Sequence, residues 1–411
     1  MYPMTNSFRL SVPGALALGA FLTLGLAACD SDSTSVETLD VTVEVLFPEA
    51  YAVEAAQGAR VVLRSLERGD EETATTDAAG TARFQDVIPG AYDLSAAISL
   101  DEDRTFELTG NRATVELNAV LSGQNLASGT SGAAFSLQLT GSPVGGWVIS
   151  EMYYTGSRTP AGGNYFFDQF FEIYNNSTDT LYAGGLMLAP IFGVSGQINP
   201  SSQPTPFQDD QDHVYADAIW RIPGGPTDVP VAPGEGLIIA QQGLDHRDDP
   251  NGNPNSPVNL GGADFEMYVD VPDSRDIDNP QVPNMEIVHR RFGFFALVPV
   301  FGPSMVLVEG DPSTFQEVAV PDAPETFPPV IRIPVANVLD GVEALQNAQS
   351  SGFKRLPVAL DAGFTFAGGT YTAESVRRRV ARTIGDRVVL QDTNNSSNDF
   401  EVLSTPSIAA P

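Results

Sequence analysis

The chain has 411 residues, enough for two or three domains, and its 42% hydrophobic content is enough to pack their cores. Its 52 Asp and Glu against 21 Lys and Arg give a net charge of −31, which opposes direct binding to nucleic acid or to anionic lipid headgroups. One cysteine, Cys29, excludes an internal disulfide and a thiolate-built metal site, and 38 glycines with 31 prolines favour short strands and turns over long helices. Lys354 is the only lysine, and so many carboxylates beside so few ammonium groups also suit a surface that must stay hydrated in strong salt or calcium.

Arg9 supplies a short positive start, Leu10 to Gly25 is apolar, and Leu26-Ala27-Ala28-Cys29 ends the run. That order is an export signal rather than a spanning helix, and no second long apolar run follows residue 28. The four closing residues resemble the bacterial lipobox, which implies a signal peptide over 1–28 and a diacylglycerol on Cys29. Asp30 to Ser35 is polar and reads as part of a tether over 29–38. A lipid there implies a protein anchored in the cell envelope, each buried methylene contributing about 0.8 kcal/mol. Asp30 resembles an inner-membrane retention signal of some bacteria, but the outer membrane or cell surface is the expected address.

Leu39 to Val45 alternates apolar and polar residues, as a half-buried strand does. Ala59 to Leu63 reads as a second strand, Asp77 to Gly80 as a turn, and Pro89-Gly90 as a turn before the strand ending at Leu94. Further strands are expected near Thr105 to Leu108, Ala113 to Leu121 and Ala134 to Leu139. The segments Gly58 to Leu63, Thr76 to Phe84 and Ile88 to Leu94 resemble, in order, the carboxypeptidase regulatory-like domain. That resemblance implies a seven-stranded, transthyretin-like accessory sandwich over 39–140, in which Asp77 and Tyr92 are turn and core residues.

The second module, 145–411, opens with a strand at Val148 to Tyr154 and the most aromatic stretch of the chain, Phe166 to Asn176. Alternation there puts Phe170, Glu172 and Tyr174 on one face and Phe171 and Ile173 on the other, so the strand is expected to be covered on both. Strands follow at Leu181 to Leu186, Trp220 to Pro223, Val231 to Ala240 and Ser304 to Val308. Ile149-Ser150-Glu151, Glu172-Ile173-Tyr174-Asn175 and Pro233-Gly234 leading to Leu237-Ile238-Ile239-Ala240 resemble the lamin-tail type of immunoglobulin-like sandwich. Against that family, long insertions fall near Asn199 to Ala218 and Gln241 to Asn284. Val338, Leu339, Val342 and Leu345 recur at helical spacing, with Asn337 as a cap, and predict one short helix packed on the sandwich. The expected fold is therefore all-β, two sandwich modules with one short helix. Gly163-Asn164-Tyr165, Val338 to Glu343, Ser375 to Arg378 and Asp392 to Phe400 together resemble an uncharacterised family of bacterial surface lipoproteins. Its members resemble accessory partners of outer-membrane import receptors.

His213, His246 and His289 lie in unrelated contexts, and there is no His-Glu-x-x-His, no Gly-x-Ser-x-Gly and no phosphate-binding loop. The oxygen-rich loops suit calcium better, and Asp392, Asn394 and Asp399 are the leading ligand set; the alternative is a turn whose side chains bond their own backbone. Arg377, Arg378, Arg379 and Arg382 cluster, and an arginine here is expected to pair with a core carboxylate such as Glu172. Tyr153, Tyr154, Tyr165, Trp220 and Tyr268 are the aromatic residues expected to make ligand contacts. The sequence points to a non-catalytic binding lipoprotein accessory to an outer-membrane import receptor. The alternatives are a structural or adhesive lipoprotein, and a hydrolase with a carboxylate-built site.

Overall fold

Period-two alternation builds the first half of the fold. In a computed structural model, which describes residues 37–48, 51–109, 114–127, 132–143 and 146–408, the strand Leu39–Leu46 buries Leu39, Val41, Val43 and Val45 and turns Asp40 and Glu44 to solvent. The signal peptide, Cys29 and nearly all of the tether lie outside the described residues. Leu39–Leu46 runs antiparallel to Thr81–Val87 and parallel to Gly132–Gln138. Facing this sheet is a second, in the order Glu71–Thr75, Arg60–Ser65, Gly90–Leu100, Val115–Leu126, Thr140–Pro143. Val41, Val43, Val61, Leu63, Leu94 and Leu117 meet between them, each contributing about 1.5–3 kcal/mol by leaving water. The sandwich has eight strands rather than seven because the chain changes sheets at buried Leu139, whose N–H donates to the Leu46 carbonyl.

Asp77 accepts the N–H groups of Ala79 and Thr81 at 2.9 and 3.1 Å, closing the expected turn. Gly80 sits at φ +73°, and a Cβ there would lie 2.7 Å from the Val45 carbonyl oxygen, so the position requires glycine. Tyr92 is buried, and its hydroxyl donates to the Ile88 carbonyl at 2.8 Å. The strand expected at Thr105 to Leu108 is instead the helix Glu102–Thr109. Asp101 accepts the Arg104 N–H at 2.8 Å, and Glu102 and Asp103 fill the first turn, so capping and the macrodipole outweigh strand propensity there.

The second sandwich pairs a six-stranded and a five-stranded sheet. The six run Phe265–Glu266, Gly236–Ala240, Phe170–Asn175, Trp147–Tyr153, Ser375–Arg378, Phe400–Leu403; the five run Glu286–Arg290, Ala218–Arg221, Met187–Pro190, Ser304–Val308, Val338–Glu343. Ile149, Phe171, Ile173, Leu188, Trp220, Met305 and Leu307 fill the space between. Met187, Ala189 and Val306 point the other way, into a second core with Val214, Ile331 and Ile333. Those three come from a three-stranded sheet of His213–Ala216, Val330–Pro334 and Gln316–Val318, so the five-stranded sheet is covered on both faces. Phe170–Asn175 is also covered on both, as its sequence implied.

The helix expected at Val338 to Leu345 does not form. A single 3-10 turn, Val335–Asn337, leads into the strand Val338–Glu343. The apolar spacing misleads because the polar residues that interrupt it, Asp340 and Glu343, are themselves buried. Asp340 meets Arg378 in a two-pronged pair at 2.7 and 2.8 Å and accepts the Ile149 N–H at 2.6 Å. Arg378 further donates to the carbonyls of Ile149 and Gln391 and to Asp392 and Asp399, with its guanidinium 4.9 Å from the Phe400 ring. Glu343 pairs with buried Arg355 at 2.7 and 2.9 Å and accepts the N–H groups of Arg355 and Leu356. Arg378 therefore does pair with core carboxylates, but with Asp340 rather than Glu172, whose carboxylate accepts the Ser150 hydroxyl.

Removing Arg378 would strand three carboxylates out of water, whereas Arg377 is half-exposed and stands 3.9 Å from Glu151. Arg378→Met is expected to lower the unfolding free energy by roughly 3–5 kcal/mol, and Arg377→Met by under about 1 kcal/mol. Chemical denaturation of the two variants side by side checks this.

Candidate functional site

The residues expected to hold calcium are brought together around an arginine. Asp392 and Asp399 both face Arg378, and Asp399 also accepts the Thr393 N–H and hydroxyl and the Asn395 N–H. Asn394 takes a left-handed backbone at φ +49° in the same turn. Among the described residues no group of three or more His, Cys, Asp or Glu is placed to hold a metal ion. The segment instead forms part of a seam: Asn118 of the first sandwich donates to the Thr393 carbonyl at 3.0 Å, beside a polar cleft lined by Arg60, Glu116, Gln391 and Asn398.

The three histidines stay apart. His213 faces Asp210 at 3.1 Å, and His289 sits on the Glu286–Arg290 strand. His246 is fully buried, with Nδ1 2.7 Å from the Tyr165 hydroxyl and Nε2 3.1 Å from the Gln242 carbonyl. A carbonyl can only accept, so in the neutral ring Nε2 carries the hydrogen and Nδ1 accepts the hydrogen bond that the Tyr165 hydroxyl donates. Burial lowers the His246 pKa, with Asp168 opposing. Nearby Asp168 accepts the hydroxyls of Tyr153, Ser157 and Ser256 on one oxygen at 3.1, 2.7 and 2.8 Å. Serine, histidine and aspartate thus share a neighbourhood, but no serine bonds the imidazole and both ring nitrogens are committed. The cluster fastens the Gly163 to Gln169 loop to the 242–256 loop.

Four of the five aromatic residues expected to contact a ligand are core. Tyr153, Tyr154, Tyr165 and Trp220 are buried, and only Tyr268 is partly open. They were expected in loops, but Tyr153, Tyr165 and Trp220 lie on the strands Trp147–Tyr153, Asn164–Tyr165 and Ala218–Arg221, and Tyr154 packs inward directly after the first. Exposed apolar surface lies elsewhere. Seven of the sixteen large hydrophobic side chains exposed among the described residues fall between 287 and 327: Ile287, Val288, Phe292, Phe294, Leu297, Phe301 and Phe327. Single exposed apolar residues are ordinary, but Phe292, Phe327 and Phe192 share the guanidinium of Arg291 and Leu297 lines a cavity with Phe192, so part of this run is contiguous in space.

The chain from Phe292 to Phe301 is held from beneath. Ala296, Val298 and Val300 point inward, while Phe294 and Leu297 stand 58% and 53% exposed. Gln241 donates to the Ala296 carbonyl, Gln169 to that of Val298 and Ser195 to that of Phe301, while the Arg275 N–H donates to the Phe294 carbonyl. Buried Arg291 lies 4.7, 4.9 and 5.0 Å from the rings of Phe192, Phe327 and Phe292, and donates to Asp217 and to the Pro328 carbonyl. Phe292 and Phe327 meet edge to face at 5.2 Å. Beside them a cavity of about 260 Å³ opens between Phe192, Pro204, Pro206, Leu297 and Pro299. This is a rigid aromatic and proline surface with an arginine beneath it, the composition of an interface centre. The sequence signal was the run from Phe292 to Phe301, too apolar for a loop and lacking the alternation of a strand.

Asp276 fixes the loop. Its carboxylate accepts the N–H groups of Ala296 and Val269 at 2.8 and 3.1 Å and the Gln242 amide at 3.2 Å. Burial pushes its pKa up to about 6, with those donors opposing. The folded chain then holds this proton more tightly than the unfolded chain, so this group makes stability fall as pH rises from about 4 to about 6, and level off above that. Asp276→Asn is expected to remove up to about 3 kcal/mol of that slope, read as the difference between the two stability–pH curves.

A family described as "Protein of unknown function (DUF4876)" matches residues 232–407. No curated protein matches the chain. Fervidolysin from Fervidobacterium pennivorans, a keratinolytic enzyme related to subtilisin, shares 12% identity over 38% of this chain and 27% of its own, at a TM-score of 0.20. The full-length major pilin SpaD from Corynebacterium diphtheriae shares 11% over 45% of this chain and 48% of its own, at 0.16. Neither likeness is close enough to bear on function. The chain is similar, at 27% identity over 88% of its length and 94% of the other's and with a TM-score of 0.56, to a DUF4876 family protein from Bacteroides thetaiotaomicron VPI-5482 known as a crystal structure.

Proposed function

We propose that the chain is a non-catalytic binding module of the cell envelope, tethered by lipid on Cys29, that docks a protein partner through the apolar face between Ile287 and Phe327. The observation that carries this reading is that face itself: Phe292 and Phe327 meeting over Arg291, with Phe294 and Leu297 exposed along the same run, on a scaffold pinned by buried bonds. Apolar anchors of this kind supply most of the energy of an interface, and their rigidity lowers the ordering cost of binding. The first sandwich serves as a transthyretin-like spacer, and the second, lamin-tail-like, presents the face. Resemblance of the second module to surface lipoproteins that accompany import receptors supports an outer-membrane import receptor as the partner. The Leu26 to Cys29 motif supports the anchor and an address at the outer membrane or cell surface.

Metabolic labelling with a palmitate analogue is expected to mark the chain and to miss Cys29→Ser; labelling of both would remove the anchor from this account. Phe294→Ser with Leu297→Ser is expected to abolish co-purification of a receptor-sized partner after mild cross-linking. The unfolding free energy should stay within about 0.5 kcal/mol, since both side chains are mostly in water already. Equal recovery with the double variant would contradict the docking face. Absence of any stoichiometric partner for the parent would favour an adhesive or spacer role.

A further inference from the structure

We propose that the strand Glu286–Arg290 receives an extended segment of a second, non-acidic protein by strand addition, with Phe292, Phe294 and Phe327 anchoring that segment; this rests on the docking reading above. Glu286–Arg290 is the outer strand of the five-stranded sheet, bonded on one side to Ala218–Arg221 and, among the described residues, to no strand on the other. Sheet margins ordinarily carry charge, proline or a cover, because free N–H and carbonyl groups template further pairing.

Most other margins of the two packed sheets are short, buried or charged, although Val402 on Phe400–Leu403 is exposed and the separate hairpin strand Val380–Ile384 exposes Val380 and Ile384. Val338–Glu343, at the opposite side of the same sheet, is almost wholly buried. Phe265–Glu266 is two residues long, buried, and bridged to Asn284. Phe400–Leu403 carries Glu401, paired with Arg379 at 3.2 Å. Gln316–Val318 opens with the exposed polar pair Gln316 and Glu317. Glu286–Arg290 differs in leading directly into exposed aromatic residues, Phe292 and Phe294. Its charges stand at the two ends, Glu286 held by Arg221 at 3.3 Å, and between them Ile287 and Val288 are 41% and 37% exposed.

The register shift between Ile219 and Trp220 sets Val288 out of the regular pairing, opposite no residue of Ala218–Arg221. An added strand would cover Ile287 and Val288 together and take up the outward backbone groups. Backbone bonds give such a strand affinity, and pockets for alternate side chains give it specificity. The aromatic group begins two residues past the strand, at Phe292, and Phe327 meets it edge to face, so a segment lying along Glu286–Arg290 runs onto anchors that Arg291 already holds in place.

Charge selects the class of occupant. The chain carries −31, so a second copy would be repelled, a neutral partner would not be, and a basic one would be drawn in. Arg275 and Arg291 beside the face are engaged from below with Phe295 and Phe167, and with Asp217, which leaves the anchors apolar. The segment sought has apolar residues at alternate positions and few carboxylates.

The test is selection of a displayed random twelve-residue peptide library on the full-length chain. Enriched peptides are expected to show alternate apolar residues with few Asp or Glu, and to slow exchange of the Glu286–Arg290 amides. Their affinity should fall about tenfold or more in Val288→Pro and in Phe294→Ser; Val288→Lys, which keeps the N–H, guards against misfolding of the proline variant and should weaken binding by charge. Peptides that bind Val288→Pro unchanged and protect only Phe292 to Leu297 would overturn strand addition and keep the docking face. Peptides indifferent to both sites, or no enrichment, would overturn both. Protection of the same amides in a dimer of the chain alone would show that a second copy is the occupant and overturn the assignment to another protein.

Discussion

Arg378 donates to three carboxylates and two backbone carbonyls at a point where hydrophobic side chains would ordinarily meet. Asp340 brings in the five-stranded sheet, Ile149 and Arg378 itself the six-stranded sheet, and Asp392 and Asp399 the loop that leads to the last strand. Burial raises the Asp340 and Asp399 carboxyls, and the arginine opposes it. A buried pair of this kind adds little net stability compared with apolar packing, but it tolerates no loss of either partner and admits one register. Glu343 and Arg355, three residues along the same strand, repeat the arrangement. Asp361 extends it, accepting the Glu343 N–H and the Ser396 N–H and hydroxyl. The polar residues of the Asp392 to Phe400 motif are therefore explained by the interior before any ligand is invoked.

That interior also explains what could be read from the chain and what could not. Leu39 to Val45 was legible because water sorts its two faces, and Phe170 to Asn175 and Ser304 to Val308 because short apolar runs suit strands covered on both faces. Asp77 and Tyr92 were legible from turn chemistry and from the resemblance. Val338 to Glu343 was not, because Asp340 and Glu343 are buried by partners far along the chain, and their spacing copies an amphipathic helix. Gly341 at its centre and β-branched Val338 and Val342 were the local evidence for a strand. Glu102–Thr109 was missed through neglect of Asp101 as a cap.

The candidate site was less legible than the fold. Aromatic residues were sought in loops beside polar neighbours, and Tyr153, Tyr154, Tyr165 and Trp220 proved to be core. Exposure of Phe294 and Leu297 follows from which residues of one apolar run turn inward to Asp276 and Gln241, and that depends on side chains contributed by other loops. The result is a division of labour over the surface. Carboxylates far outnumber basic groups along the chain, and on the aromatic face Phe292 and Phe327 stand over the buried guanidinium of Arg291.

Whether that face is where the protein is held by its partner is tested most directly by a photo-crosslinking amino acid placed in living cells, at Phe294 in one strain and at exposed Tyr182 in another. The account predicts one discrete cross-linked protein at 294 and none at 182. Equal cross-linking at both positions, or none at 294 while the chain is present at its normal level, would contradict it.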